Sequence, residues 1–307
     1  MKPTRLALAA TMAVLAVAVS ACGGNDPTKT DTGATGKPAP ADTIVVGSAN
    51  FQENVVLANI YAEALKAKGV KVTMKLNIGS REAYIPGLED GSIDLIPEYS
   101  GVLLQYFDKS ATAVAPDDVF AALQKAVPND LTVLDKSQAE DKDAVAVTKA
   151  TADKYSLKSI ADLKAVAGKL TFGGPPEFKT RPDGIPGLKK HYGVDFGSYK
   201  TLDAGGPLTV NALKNGQVDA GDIFTTDPSI EANNFVVLDD PENNFAAQNV
   251  LPLINKAKAS DTVTQALNGV SAKLTTQTLI DLLTKVTVDK QDPNAVAKEW
   301  LTSQGLA

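Results

Sequence analysis

The chain reads as an α/β protein with mostly parallel sheets, divided between two lobes. Three observations predict this. From Thr43 onward, β-branched runs alternate with amphipathic helical stretches, the pattern that lays helices over a parallel sheet. The stretch from Thr43 to Ala307 exceeds what one core ordinarily holds and fits two. One short pattern also occurs twice: Leu88-Glu89-Asp90-Gly91-Ser92-Ile93-Asp94 is echoed by Leu213-Lys214-Asn215-Gly216-Gln217-Val218-Asp219.

The elements follow in order. Thr43–Gly47 is a β-branched run of the kind found in a buried strand. Asn54–Lys68 carries Val56, Leu57, Ile60, Tyr61, Ala64 and Leu65 at helical spacing, with Gly69 as its C-cap. Val70, Val72, Met74 and Leu76 then alternate with Lys71, Thr73 and Lys75, a strand with one wet face. In each copy of the repeated pattern a helix ends on glycine and a strand leaves from Ile-Asp or Val-Asp. Each strand delivers an aromatic residue and then a hydroxyl: Tyr99-Ser100 and Phe224-Thr225. Open α/β sheets bind ligands at the carboxyl ends of their strands. One copy per lobe would therefore aim a ring and a hydroxyl into a shared cleft.

The residues before Thr43 read differently. Lys2 and Arg5 precede an uncharged, mostly apolar run from Leu6 to Val19, and Ser20-Ala21-Cys22 follows. At ~1.5 Å per residue that run covers roughly 21 Å, short of a ~30 Å hydrocarbon core. It is an export signal rather than a membrane span. The arrangement resembles a bacterial lipoprotein signal, which implies removal of residues 1–21 and lipidation of Cys22. Residues 22–42, rich in Thr, Pro, Gly and Lys, bury too little to order themselves and read as a flexible linker. The expectation is an extracytoplasmic protein tethered to the bacterial cell membrane.

The net charge of −6 becomes more negative once Lys2 and Arg5 leave with the signal. An acidic surface argues against nucleic acid and favours cationic or zwitterionic ligands. Cys22 is the only cysteine, so neither disulfides nor thiol catalysis is expected. There is no Gly-x-Ser-x-Gly, His-Glu-x-x-His or Gly-x-Gly-x-x-Gly. His191, the sole histidine, closes an amphipathic helix and reads as a surface or capping residue. Asp219 with Asp222, and Asp239 with Asp240, read as solvated or structural acid pairs. No catalytic residue, metal or cofactor is expected.

Several segments occur in a telling order: Gly47-Ser48-Ala49-Asn50-Phe51-Gln52-Glu53, Ile93 to Gly101 with its Pro-Glu-Tyr-Ser-Gly, Phe172 to Phe178, Arg181-Pro182-Asp183-Gly184, and Phe224-Thr225-Thr226-Asp227. Over Thr43–Ala307 the chain resembles the extracytoplasmic glycine betaine/choline-type substrate-binding proteins of ABC importers. The resemblance implies a two-lobed periplasmic-binding-protein fold (type II) with two crossover hinge segments, near Ser137–Asp143 and Val236–Asp240. Lobe 1 would be 43–142 with 238–307, lobe 2 would be 143–237, and Trp300 would pack in lobe 1. It further implies a monomeric, non-enzymatic subunit that hands a small solute to an ABC permease.

Members of that family hold a quaternary ammonium among aromatic faces and its carboxylate on basic donors. By resemblance, Tyr99 is a cage aromatic, Phe224 is the aromatic of the second lobe, and Arg181 faces the carboxylate; an internal ion pair to Asp183 or Glu177 is the other reading of Arg181. Thr225 adds a hydroxyl, and the Asn50-Phe51 loop offers backbone N–H groups. Asp143 and Gln248 stand where relatives carry tyrosines, and Ala49 where a lysine is common. Asp143 suits an amine or choline-like cation, and Gln248 a hydroxyl or amide. A different small polar or aromatic solute, or a sensor lipoprotein without transport, remain the alternatives. Tyr61 and Tyr84 read as helix-face residues, and Tyr106 with Phe107 as packing.

Overall fold

A computed structural model describes residues 42–307. The expected signal, Cys22 and nearly all of the linker lie outside the described residues. Ten strands form two five-stranded sheets. The first contains β1 (Thr43–Gly47), β2 (Lys71–Lys75), β3 (Leu95–Tyr99), β4 (Leu131–Val133) and β10 (Val250–Asn255), in the order β2-β1-β3-β10-β4. The second contains β5 (Asp143–Thr148), β6 (Thr171–Gly174), β7 (Ser198–Thr201), β8 (Ala220–Phe224) and β9 (Phe235–Val237), in the order β7-β6-β8-β5-β9.

The two sheets are built alike. β1 runs parallel to β2 and β3, as β6 does to β7 and β8. In each sheet the strand that arrives from the other lobe, β10 or β5, lies antiparallel between two neighbours. The expected parallel character therefore holds for four strands of each sheet, and the strand that follows a crossover runs against them. Helices cover both faces, which is why β1 and β3 are buried along their whole length. β2, on an edge, alternates exposed and half-buried positions.

The helix Gln52–Ala67 forms because its apolar residues recur at helical spacing; Lys68 caps it and Gly69 takes φ 77° beyond. It packs on the first sheet against the C-terminal helices Asp261–Ser271, Thr276–Thr287 and Pro293–Ser303, and Trp300 sits in that core. A second apolar cluster lies on the other side of the sheet around Ile96, Leu103, Leu123 and Leu251. The second sheet has its own clusters, around Phe172, Leu188 and Val145 and around Leu213 and Ile223.

Two segments link the sheets, between β4 and β5 and between β9 and β10. They run side by side: Glu140 bridges Asn249 antiparallel, Asp141 N–H donates to Gln248 C=O, and Ser137 N–H donates to Val250 C=O. After β9 the chain stays with the second sheet longer than expected. Asp239 bridges Ser159, and Phe245 packs with Phe178 in the second lobe's core. Ala246 and Ala247 are the first residues to join the core of the first lobe. The change of packing partner thus falls after the 236–240 segment, because the Phe245 ring is still buried on the second-lobe side.

Candidate functional site

The repeated sequence pattern is a repeated structure. Gly91 and Gly216 both adopt left-handed φ, 76° and 66°, which glycine reaches without a Cβ clash. Three residues on, Asp94 and Asp219 each accept a backbone N–H from the neighbouring strand, Val45 at 2.8 Å and Thr171 at 2.8 Å. That bond sets the start of β3 and β8 against β1 and β6. The carboxyl ends then bring Tyr99 and Phe224 from opposite lobes toward Phe51, which caps the helix Gln52–Ala67. The Phe51 ring centroid lies 6.0 Å from Tyr99 and 5.0 Å from Phe224.

These rings line an interlobe cavity of about 50 Å³. One water needs roughly 10–15 Å³ by that measure, so the slot suits a small solute. Of the residues expected at the site, Asn50, Phe51, Tyr99, Asp143, Arg181, Phe224 and Gln248 line it. Thr225 does not. Its hydroxyl donates to Asp141 at 3.2 Å and accepts the Lys142 N–H at 2.9 Å, so it serves the hinge. Gln248 is buried, and its amide oxygen accepts the Val102 N–H at 3.0 Å.

Below the rings lies a hydrogen-bonded floor that joins both lobes. Tyr99 donates its hydroxyl to Glu53 at 2.8 Å, and Thr226 donates to the other Glu53 oxygen at 2.5 Å. Asp141 accepts Thr226 N–H at 3.1 Å. Burial pushes Glu53 up to about 7, and burial with the nearby Glu53 carboxyl raises Asp141.

The first-lobe wall is built around an ion pair. Arg81 forms a two-pronged bond to Glu98, at 2.8 and 2.7 Å, with both side chains buried. Tyr84 donates to Glu98 at 2.8 Å, and the Tyr99 N–H donates to Glu98 at 3.0 Å. Tyr84 therefore lines the cavity rather than serving only as a helix-face residue. Arg181 reaches across the cleft to Glu82, at 3.2 and 3.0 Å, rather than to Asp183 or Glu177. Burial would raise Glu82, but the bond and charge of Arg181 prevail and hold it at about 2.

The second-lobe wall is acidic. Asp222, expected to be solvated or structural, is buried in the cavity lining beside Asp143. Burial and the neighbouring carboxyls raise Asp222, and burial raises Asp143; Asp183, behind them, is pushed up to about 6 by burial and by Asp143. His191 is exposed at the end of the helix Ile185–Tyr192. No cluster of His, Cys, Asp or Glu suited to a metal occurs among the described residues.

Sequence reasoning missed Arg81, Glu98, Glu53, Asp141 and the cavity role of Asp222. Arg81 and Tyr84 stand three apart on one helix, a spacing that puts them on one face. Glu98 sits beside Tyr99 in the Pro-Glu-Tyr-Ser-Gly segment. Both were readable signals. Asp222 left none, because its partner Asp143 is distant in sequence.

Two lobes with matching sheets, a double crossover and a small cavity between them define the architecture of solute-binding proteins. Similar solved structures include a glycine betaine/carnitine/choline ABC transporter protein at TM-score 0.67, 24% identical, covering 86% of this chain and 99% of that one. Apo YehZ from Escherichia coli matches at TM-score 0.61 and 26% identity, covering 87% of this chain and all of that one. Residues 42–303 match the family described as the substrate binding domain of ABC-type glycine betaine transport systems, and the chain belongs to that family. Among relatives, the glycine-betaine-binding protein of Pseudomonas aeruginosa is 28% identical over 284 residues, 87% of this chain and 90% of that protein. The family's members are extracytoplasmic binding components of transporters that work with a permease, not enzymes. No helix among the described residues is long and apolar enough to cross a membrane.

Proposed function

We propose that this chain is the solute-capturing subunit of an ABC importer and takes a quaternary-ammonium osmoprotectant or a related small cation between its lobes. One observation carries the reading: Phe51, Tyr99 and Phe224, from two lobes, converge on one small cavity that Asp143 and Asp222 line from the second lobe. A methylated ammonium has no N–H to donate and is weakly hydrated. Each aromatic face is worth ~0.5–2 kcal/mol to it, and the carboxylates add a longer-range attraction. Ligand would hold the lobes together by bonding to both, shifting the balance toward closure by its differential affinity. We assign the ligand contacts to Phe51, Tyr99, Phe224, Asp143 and Gln248, with lobe 2 running from Asp143 to Phe245. Lipidation at Cys22 would tether the protein, as a monomer, beside its permease, and capture would leave the solute chemically unchanged.

Calorimetry on the purified chain with choline, glycine betaine and carnitine tests the reading. Weaker affinity in Tyr99→Ala and Phe224→Ala is the expected result. Unaltered affinity in both variants would remove the cage.

A further inference from the structure

Beneath the rings, the joint between the lobes is made of two carboxyls. Glu53, in the first turn of the helix Gln52–Ala67, is 3% exposed and accepts Tyr99 from its own lobe and Thr226 from the other. Asp141, on the crossover between β4 and β5, is 5% exposed and accepts the Thr226 N–H. The two carboxyls also hydrogen-bond each other. Such a bond exists only with a proton in it, because two carboxylates in contact repel and neither has a donor.

The charges around the pair do not replace that proton. β3 contributes only the Tyr99 hydroxyl, and Asp227, just past Thr226, adds negative charge beside Glu53. Lys142, next to Asp141 in the chain, is paired with Glu140 at 3.4 Å. Asp203 and Lys290 line the outer groove that Glu53 borders. There Asp203 accepts the Leu208 and Thr209 N–H groups, and Lys290 donates to the Thr287 carbonyl at 2.6 Å. Asp143, beyond Asp141, is a further acid. Parting the lobes would separate Glu53 from Thr226 and admit water, in which both carboxyls ionise at neutral pH.

We propose that Glu53 and Asp141 form a proton-held clasp between the lobes, so that closing over a solute takes a proton from solvent into this joint and capture loosens as pH rises. Its effect on capture rests on the cleft being the solute site; the clasp itself does not depend on which solute enters. Burial raises Glu53 to about 7 in the closed joint, and burial with the Glu53 charge raises Asp141 well above its usual range. The closed form therefore binds more protons than the open one. Its advantage is present in acid and is lost as pH rises through about 7 and beyond.

Calorimetry on the purified full-length chain with choline and with glycine betaine, at pH 8 in two buffers of different ionisation heat, tests the clasp. The heats should differ by the uptake of about one proton per solute, and affinity should be about tenfold weaker at pH 8 than at pH 7. Glu53→Gln and Asp141→Asn each put an amide N–H where the shared proton was, keeping a bond without a titration. Both should lose about one proton of uptake and flatten the pH profile, whereas structural damage alone lowers affinity at every pH and leaves the slope. Asp143, Asp183 and Asp222 are raised as well, so the variants rather than the total uptake assign the proton. Heats indifferent to buffer, or variants that keep the slope, would overturn the clasp and leave the transport reading intact. Silence with both solutes would remove the quaternary-ammonium reading, and hydrogen exchange of the ligand-free chain then decides. Protection of segment 224–227, corrected for the intrinsic effect of pH, should fall from pH 6 to pH 8 and hold steady in Glu53→Gln; equal protection at both pH values in the unsubstituted chain would overturn the clasp.

Discussion

The two lobes share a sheet order, a left-handed glycine and an aspartate that pins the next strand, yet they furnish the cavity in opposite ways. The first lobe gathers its cavity-side polar groups on one acceptor, with Arg81, Tyr84 and Tyr99 N–H all bonded to Glu98. The second lobe presents Asp143 and Asp222, two carboxyls buried side by side in the cavity lining. A paired wall is a fixed surface that rings can lean on. A wall of adjacent carboxyls favours a cation.

The largest break in this comparison comes from unpairing the first wall. Arg81→Ala strands Glu98 as a buried charge and should cost about 3–5 kcal/mol of stability, read as a fall in thermal or urea midpoint. The corresponding change in the second wall, Asp222→Asn, removes a carboxyl that burial already penalises and should leave the midpoint of the ligand-free protein unchanged or raised. If both variants destabilised equally, the contrast between the walls would vanish.

Removing rings should come next. Tyr99→Phe keeps the face and deletes only the bond to Glu53, so it should spare ligand affinity, whereas Tyr99→Ala and Phe224→Ala should each weaken a methylated cation by ~0.5–2 kcal/mol in calorimetry. Equal losses in Tyr99→Phe and Tyr99→Ala would assign the role to the hydroxyl instead.

The floor predicts a pH effect of definite sign. Glu53 is raised from 4.5 to about 7 and Asp183 from 3.8 to about 6, so the folded protein holds more protons than the unfolded chain between pH 4 and 7. Stability is then greatest below the unfolded values and is lost as pH rises through the folded ones. Glu82, lowered to about 2, works the other way, with its contribution present above 4.5 and lost in stronger acid. The melting temperature should therefore be higher near pH 5 than near pH 8, by about 2–4 °C for each ~1 kcal/mol. Glu53→Gln should flatten that profile. A profile as steep as before would clear Glu53 of the effect.

The smallest expected effect concerns the latch. Glu82 and Arg181 are partly exposed, so breaking them in Glu82→Ala should change stability by ~0–1 kcal/mol. The same variant frees the Arg181 fork. Betaine affinity that rises markedly in Glu82→Ala would show the latch and a ligand carboxylate competing for one guanidinium.

What was legible beforehand follows from periodicity. The alternation of strands and helices, the two Gly-to-aromatic units, and Trp300 at a buried helix position are local patterns, and tertiary packing respected them. The convergence of Tyr99 and Phe224 on one cleft was readable too, because strand ends in open sheets point the same way. The bounds of the second crossover were less legible, for an equally physical reason. The stretch after Val237 carries no strand or helix period, so only the burial of Phe245 against Phe178 reveals which lobe keeps it.

By itself, then, the order of residues determined which segments become strands, which helices, and which rings stand at their ends, since these depend on neighbours a few positions away. Only the folded molecule decided that Arg181 finds Glu82, a partner 99 positions distant on the other lobe, and that Asp222 comes to rest buried beside Asp143. Charge pairing and burial are set by distance in space, and a linear string of residues does not encode that distance until both sheets have closed on each other.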